Sequence, residues 1–214
     1  MKTWILSQWY REEDRFEAWY YELWRRALAR YAPGVPILMV HNGGPTDPPY
    51  DDVEVVPAVE MVPHERHEFG HYFNCWRSMA HGYELLAERG AELGIFIGQN
   101  LIVGAEFARE CEEAVEGAEL LLNVGCLFDH WAYTEYMAAR PAACAELWKK
   151  RLVDDGQMAV EGAILDWSRE LGLRHAPFPV LRKPRDQPLG PDDTFCFHCQ
   201  PWEVRSFAEA RSLL

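Results

Sequence analysis

Two kinds of hydrophobic pattern alternate along the chain. Short apolar runs over 3–8, 35–40 and 93–97 are rich in Ile, Leu and Val and predict buried strands. Between them, 14–31 and 68–89 carry apolar residues every three or four positions and predict amphipathic helices. The same pattern predicts, in chain order, strand 53–56, helix 105–116, strand 119–124, helices 142–151 and 156–171, and strand 194–197. This alternation predicts an α/β fold with a mainly parallel sheet flanked by helices.

Polar or glycine-rich residues follow several predicted strands. These strand ends are 7–11, 41–44, 98–100 and 123–126. Because ligands of open parallel sheets bind beyond the carboxyl ends of the strands, we expect the binding site there. Trp9, Tyr10 and Trp131 follow strand ends and are the rings that we expect to stack on a ligand at this site. Gly43 and Gly44 would let backbone N–H groups approach a phosphate, but they suit a tight turn equally well.

Composition and net charge limit the classes of function that the sequence predicts. The 214 residues fit one domain, and 34 acidic against 21 basic side chains give a net charge of −13. Such a charge argues against non-specific binding to nucleic acid or to an anionic membrane. The sequence has no apolar run of 18 residues and no secretory pattern at its start, so we expect a cytoplasmic protein without a membrane span. The six cysteines are predicted to be reduced, buried thiols.

Residues 67–71 match the zinc-hydrolase pattern H-E-x-x-H. In that pattern His67 and His71 would bind zinc from one helix face, and Glu68 would be the general base. The extended form of the motif would need Gly and His where this chain has Asn74 and Arg77. A solvent-exposed helix start that binds no metal explains the same residues. A zinc-dependent hydrolase is therefore kept as an alternative function.

The order of the segments, from the first strand to about residue 200, resembles nucleotide-sugar glycosyltransferases of the GT-A fold. Residues 37–44 are similar to the second strand and following turn of that fold, and 68–97 to the helix and strand that lead into its D-x-D motif. This chain has Gly98-Gln99-Asn100 at that position. Residues 154–157, Asp-Asp-Gly-Gln, resemble the acidic element that opens the next helix, and 195–198 resemble the late strand that carries a histidine metal ligand in some members.

This resemblance implies a GT-A-like domain over 1–200, followed by a helical tail over 201–214. The implied activity is a hexosyltransferase that moves a sugar from a nucleoside-diphosphate sugar to a hydroxyl acceptor. The implied donor-binding residues are Gln8, Trp9, Arg11, Asn42, Gly43, Arg77, Gln99 and Asn100. Trp131 and Gln157 would bind the acceptor, and Asp154 or Asp155 would be the catalytic base.

The missing D-x-D carboxylates bear on the cofactor. Hard cations such as Mg²⁺ and Mn²⁺ prefer charged oxygen ligands, and Gly98 and Asn100 supply none. We therefore expect no required cofactor, with Mn²⁺ or Mg²⁺ as the alternative and His198 as a weak candidate ligand. Arginines near element ends would then meet the phosphates, and the candidates are Arg11, Arg66, Arg77 and Arg140.

Two other interpretations of the sequence compete with the implied sugar transfer. Asp154 and Asp155 also suit an N-cap for the following helix, which needs no catalysis. The chain would then be a catalytically silent protein that binds a nucleotide or sugar. The second competitor is the zinc hydrolase centred on His67 and His71.

Overall fold

The computed structural model describes residues 1–9, 18–42, 47–57, 70–98, 101–123, 136–150, 160–179 and 195–196. Of these, the side chains of 18–20, 70–74, 161 and 195–196 are not described. The strands are β1 (Thr3–Trp9), β2 (Ile37–His41), β3 (Glu54–Pro57), β4 (Leu93–Ile97), β5 (Leu101–Ile102), β6 (Leu120–Leu121), β7 (Tyr136–Ala139), β8 (His175–Ala176) and β9 (Phe195–Cys196). The helices are α1 (Ala18–Tyr31), α2 (Gly70–Glu88), α3 (Phe107–Ala114), α4 (Ala145–Trp148) and α5 (Val160–Glu170).

Seven strands form one sheet in the order β3-β2-β1-β4-β7-β6-β8. β1 pairs in parallel with β2 and β4, β2 with β3, and β6 with β8. β7 is antiparallel to both of its neighbours, β4 and β6. The predicted α/β class with a mainly parallel sheet is therefore confirmed. A separate pair, β5 with β9, is antiparallel.

Two apolar layers cover the two faces of this sheet. Side chains alternate along β1, so Ile5 lies in the layer that α1 and α3 cover, and Leu6 lies in the layer that α2, α4 and α5 cover. Both side chains are fully buried. Burial on both faces explains why the central strands consist of continuous apolar runs rather than alternating ones. No helix in the described part of the chain is long and apolar enough to cross a membrane.

The approach of α2 to the sheet depends on a glycine in β4. A Cβ at Gly94 would lie 2.8 Å from Cε1 of Tyr83 and 2.7 Å from Cδ1 of Leu86. The Tyr83 hydroxyl donates to the Met137 carbonyl oxygen at 3.2 Å, and burial raises the pKa of this phenol well above its usual range. The ring therefore stays neutral and joins α2 to β7 across β4.

Two sequence predictions need correction at the β8 side of the sheet. The predicted strand 119–124 shortens to β6, and the predicted helix 142–151 shortens to α4 after a turn. The pairing of β6 with β8 is not among the sequence predictions. Pro177 follows β8 and cannot donate to a further ladder hydrogen bond. The predicted tail over 201–214 lies outside the described residues.

Arg140 does not lie where a ligand-binding arginine was expected. Since β7 runs antiparallel to β4, Arg140 follows the end of β7 that is opposite to the carboxyl ends of β1, β2 and β4. Its Nη2 donates to the Val115 carbonyl oxygen at 3.3 Å. The expectation that Arg140 meets the phosphates at the strand ends is therefore wrong.

Candidate functional site

The carboxyl ends of β1, β2 and β4 meet at one edge of the sheet, which we call the carboxyl edge. Trp9 at the end of β1 is in register with His41 at the end of β2. The Asn42 amide continues this pairing by donating to the Trp9 carbonyl oxygen at 3.0 Å. On the other side of β1, the Ser7 hydroxyl donates to the Ile97 carbonyl oxygen at 2.8 Å. The described parts of three strand ends singled out from the sequence, at 7–9, 41–42 and 98, thus lie at one edge of the sheet.

Buried amide side chains form a hydrogen-bonded cluster at this edge. Gln8 Nε2 donates to the Cys75 carbonyl oxygen at 2.6 Å, and Asn42 Nδ2 donates to Gln8 Oε1 at 3.5 Å. The Ser78 hydroxyl in turn donates to Asn42 Oδ1. We call Gln8, Asn42, Ser78 and the Cys75 carbonyl the amide cluster. Gln8 is 9% exposed, Asn42 7% and Ser78 0%.

The strand pattern explains why the amide cluster faces α2. Gln8 lies two residues after Leu6, and Asn42 two residues after Val40, so these side chains share the α2 side of the sheet. Apolar side chains fill this side further back along both strands, whereas the last positions are polar. Buried amides are costly without hydrogen bonds, so the cluster must form its internal bonds for α2 to pack there.

The turn of α2 that holds the amide cluster also contacts Lys150, which directly precedes the segment predicted to carry the catalytic base. The Trp76 indole N–H donates to the Lys150 carbonyl oxygen at 3.0 Å, and the Lys150 ammonium pairs with Glu170 on α5 at 2.8 Å. The Trp76 ring also packs against Trp167 of α5, with centroids 5.3 Å apart. Lys150 is the last described residue before 151–159, which contains the predicted base. Lys150, which directly precedes 151–159, is therefore tied to α2 beside the amide cluster.

Trp9 packs into the core at the carboxyl edge. Its ring is 2% exposed, with its centroid 4.3 Å from that of Tyr21 on α1 and 6.2 Å from that of Tyr50. Partial burial, supported by the negative charge of Glu22, raises the pKa of Tyr50 to about 12, so this phenol is neutral at physiological pH. These rings anchor the segment after β2 onto α1. Stacking of Trp9 on a donor stays a prediction.

Of the other predicted site residues, few lie in the described part of the chain. Arg77 is half-buried on α2, in the turn that carries the amide cluster. The backbone of His71 lies in the first turn of α2, and its side chain is not described. The predicted residues outside the described part of the chain are Tyr10, Arg11, Gly43, Gly44, Arg66, His67, Glu68, Gln99, Asn100, Trp131, Asp154, Asp155, Gln157 and His198.

The pairing of β5 with β9 bears on two of these undescribed segments. Leu101, two residues after Gln99, is in register with Cys196, two residues before His198. Residues that lie two positions from Gln99 and from His198 in the sequence are therefore paired with each other. The sequence pattern predicts the late strand but not its partner.

The residues that the sequence resemblance assigns to the D-x-D position fit a divalent metal poorly. Gly98-Gln99-Asn100 offers amide oxygens without a carboxylate, and charged oxygen ligands are what Mg²⁺ and Mn²⁺ prefer. Among the described residues, no three His, Cys, Asp or Glu side chains group together as metal ligands. The H-E-x-x-H side chains are outside that set, so the zinc alternative stays a prediction.

Two buried cysteines are poor nucleophiles. Burial raises the pKa of the Cys144 thiol to about 12 and that of the Cys111 thiol well above its usual range. Neither of these thiols, nor that of Cys75, forms a disulfide bond with a described residue. The predicted reduced, buried state is confirmed for Cys111 and Cys144, while Cys75 is half-buried.

Ser78 and Trp76 are missing from the sequence prediction. Both belong to α2. The sequence pattern places Trp76 on the apolar face of this helix and indicates no special role for Ser78. The available signal was position: both lie in the first half of α2, and this half packs near the carboxyl ends of the strands in a β-α-β unit.

The fold is that of GT-A-like nucleotide-diphospho-sugar transferases. One solved structure with this fold is a protein from Desulfovibrio desulfuricans G20 that is classed as a nucleotide-diphospho-sugar transferase. It matches with a TM-score of 0.58 and 12% identity, over 82% of this chain and 79% of that one. Another is a glycosyltransferase involved in glycosylation of the major capsid of PBCV-1, with a TM-score of 0.56 and 10% identity, over 99% of both chains. The sequence matches no protein-family model and no curated protein.

Proposed function

We propose that this protein is a glycosyltransferase that binds a nucleoside-diphosphate sugar at the carboxyl edge and transfers the sugar to a hydroxyl acceptor. The observation that carries the proposal is the amide cluster. It places Gln8 and Asn42, predicted independently as donor-binding residues, side by side at the edge where sheets of this kind bind ligands. The likeness in fold to transferases of this type supports the same assignment.

The proposed donor site uses neutral and cationic groups of this chain. Gln8 and Asn42 hydrogen-bond the nucleoside, and Gln99 and Asn100 bind ribose or sugar hydroxyls in place of a D-x-D motif. Arg77 and Arg11 stabilise the diphosphate, together with backbone N–H groups at Gly43. Trp9 completes this set of donor contacts.

The proposed reaction needs a base near the acceptor. Asp154 or Asp155 takes the proton of the acceptor hydroxyl, whose oxygen bonds to the anomeric carbon as the bond to the diphosphate breaks. The nucleoside diphosphate leaves with the bonding electrons, and the cationic groups stabilise its charge. Trp131 and Gln157 hold the acceptor. The contact between Trp76 and Lys150 supports this role, because it ties the segment carrying the base to the donor edge.

We propose that transfer proceeds without a divalent metal. The support is the donor set at the D-x-D position, which lacks carboxylates. The sequence-based expectation of a cytoplasmic location belongs to the same proposal.

Thermal shift tests the donor site first. A ligand that binds only the folded state raises the melting temperature, by an amount set by its concentration relative to Kd. We expect UDP, GDP, CDP or dTDP to raise it in EDTA as much as with Mn²⁺. A shift only with Mn²⁺ would contradict metal independence, and the lack of any shift would contradict the donor site.

Replacing the proposed base tests transfer itself. The double variant Asp154→Asn/Asp155→Asn should keep the nucleotide-induced shift and lose donor hydrolysis and transfer by about a hundredfold or more. The matched control is Asp166→Asn, which changes an exposed aspartate on α5. A wild-type chain that binds the nucleotide and turns over no donor would instead be the catalytically silent binding protein.

A further inference from the structure

The hydrogen bonds of the amide cluster have one consistent direction. The Cys75 carbonyl oxygen can only accept, so the Gln8 group that faces it must be the NH₂. Gln8 Oε1 then faces Asn42 and requires an N–H from it. Asn42 Oδ1 is left facing Ser78, whose hydroxyl must donate. A backbone carbonyl therefore fixes the orientation of both amides.

Both ends of this chain of hydrogen bonds lie on one turn of α2. Cys75 and Ser78 are three residues apart, so the helix holds Gln8 and Asn42 between two anchors. Ser78 is fully buried and its hydroxyl is the anchor that a side chain supplies. Without it, Asn42 would keep only the 3.5 Å bond to Gln8 for its side chain.

We infer that Ser78 is a positioning residue that orients Asn42, and through Asn42 also Gln8, so that this pair offers N–H donors to the ligand. Each amide has two N–H groups and uses one of them within the cluster, while its oxygen already accepts a hydrogen bond. The second N–H of each amide suits a ligand edge with acceptor oxygens, such as base carbonyls or phosphoryl oxygens, and each amide oxygen keeps one further lone pair. This inference rests on the proposed function, because the ligand is the nucleotide of the proposed donor.

Three serine variants test the role of the hydroxyl. Ser78→Ala removes the donor, and Ser78→Cys keeps a similar volume with a weak donor. The matched control is Ser168→Ala, because Ser168 is also fully buried but donates to the Leu165 carbonyl oxygen within its own helix, α5, at 2.8 Å. All three variants are compared by melting temperature and by the Kd of the nucleotide that stabilises the wild type most.

The expected result separates positioning from stability. Ser78→Ala should weaken nucleotide binding by about tenfold, the size expected for losing one ordinary hydrogen bond. Ser78→Cys should recover part of this loss, and Ser168→Ala should bind as the wild type does even where its melting temperature falls. Equal affinity of Ser78→Ala and wild type, or an equal loss in Ser168→Ala, would overturn the inference. If Ser78→Ala does not fold, unchanged affinity of Ser78→Cys would overturn it.

Fragments of the ligand identify which oxygens are recognised. The free nucleoside and inorganic diphosphate are titrated separately against wild type and Ser78→Ala. A loss confined to the nucleoside assigns the contact to base or ribose, and a loss confined to diphosphate assigns it to phosphoryl oxygens. Either pattern supports the inference, whereas identical affinities of both fragments for the two proteins overturn it.

A double-variant comparison tests the cluster without a ligand. If Ser78 acts through Asn42, then Asn42→Ala/Ser78→Ala should melt no lower than Asn42→Ala alone, because the second change has no partner left to lose. Additive losses would overturn the inference. If the wild type binds none of the four nucleotides, the proposed function fails and the inference fails with it, whereas binding that ignores Ser78 removes the inference alone.

Discussion

Glu119 and Arg174 form an ion pair at the sheet edge opposite the candidate site. Hydrogen bonds from the Arg174 side chain, then from its backbone amide at 2.8 Å, hold the pKa of Glu119 below its usual range. These contacts join the residue before β6 to the segment leading into β8. The ion pair thus closes the far end of the sheet.

The lowered pKa gives this ion pair a defined pH dependence. A carboxyl whose folded pKa is below its unfolded value stabilises the fold above the unfolded pKa, about 4.3 for Glu, and this contribution disappears as pH falls through the folded pKa. Arg174→Ala should therefore lower the melting temperature slightly at pH 7 and have no effect at the acid end. The loss should shrink at high salt, since the Arg174 side chain is exposed.

Titration of the Glu119 carboxyl by NMR tests whether Arg174 lowers the pKa of this group. Its pKa should rise towards the usual value in Arg174→Ala. Arg109→Ala, which removes an exposed arginine paired with Glu106 and Glu113 on α3, should leave it unchanged. An unmoved pKa in Arg174→Ala would mean that the backbone contact alone sets it.

At single positions, the sequence predicts strand-end residues better than helix residues. Gln8 and Asn42 stand out because polar residues interrupt an apolar run where a parallel strand ends. Ser78 does not stand out, because its role depends on which face of α2 meets β1 and β2, a tertiary fact. Trp9 shows a limit of the same signal: its place at a strand end does not indicate that Tyr21 of α1 and Tyr50 pack near its ring.

At the level of elements, α2 joins most parts of the candidate site. Its buried tryptophan, Trp76, contacts α5 through Trp167 and the segment after α4 through Lys150, while Cys75 and Ser78 hold the strand ends. The contact with Lys150 depends on one indole N–H. Loss of this hydrogen bond should weaken the contact between α2 and Lys150, the residue that precedes the segment with the proposed base.

Trp76→Phe should destabilise the protein more than Trp24→Phe does. Both tryptophans are almost fully buried, but the Trp24 indole N–H has no hydrogen-bond partner among the described residues, so its replacement costs ring volume alone. Trp76→Phe also removes the bond to the Lys150 carbonyl, which adds about 1–2 kcal/mol. Urea denaturation measures both losses, and equal losses would show that this hydrogen bond adds nothing.

The elements themselves differ in how well the sequence predicts them. Apolar runs predict β1, β2 and β4 because both faces of these strands are buried. β6 and β8 are two residues long, too short for a period-two pattern, so only their pairing defines them. The direction of β7 is not encoded in its apolar run either, and the misplacement of Arg140 follows from that.

For the whole molecule, the sheet separates two polar edges with different roles. The carboxyl edge holds the amide cluster and the strand ends, and the opposite edge holds ion pairs such as Arg89 with Glu54 and Arg174 with Glu119. Buried apolar layers lie between them. A nucleotide at the carboxyl edge should therefore change the local dynamics of one edge only.

Hydrogen exchange with and without the stabilising nucleotide checks this expectation. Binding should slow exchange of amides that open locally at the carboxyl edge, with Asn42 and the 75–78 turn of α2 among them. Amides of the opposite edge, such as those of Leu120 and Arg174, should exchange as before. Protection centred on the opposite edge would place the ligand away from the amide cluster. In Ser78→Ala, saturated with nucleotide, protection at Asn42 should be weaker than in the wild type, because the side chain that its backbone positions is no longer anchored to α2.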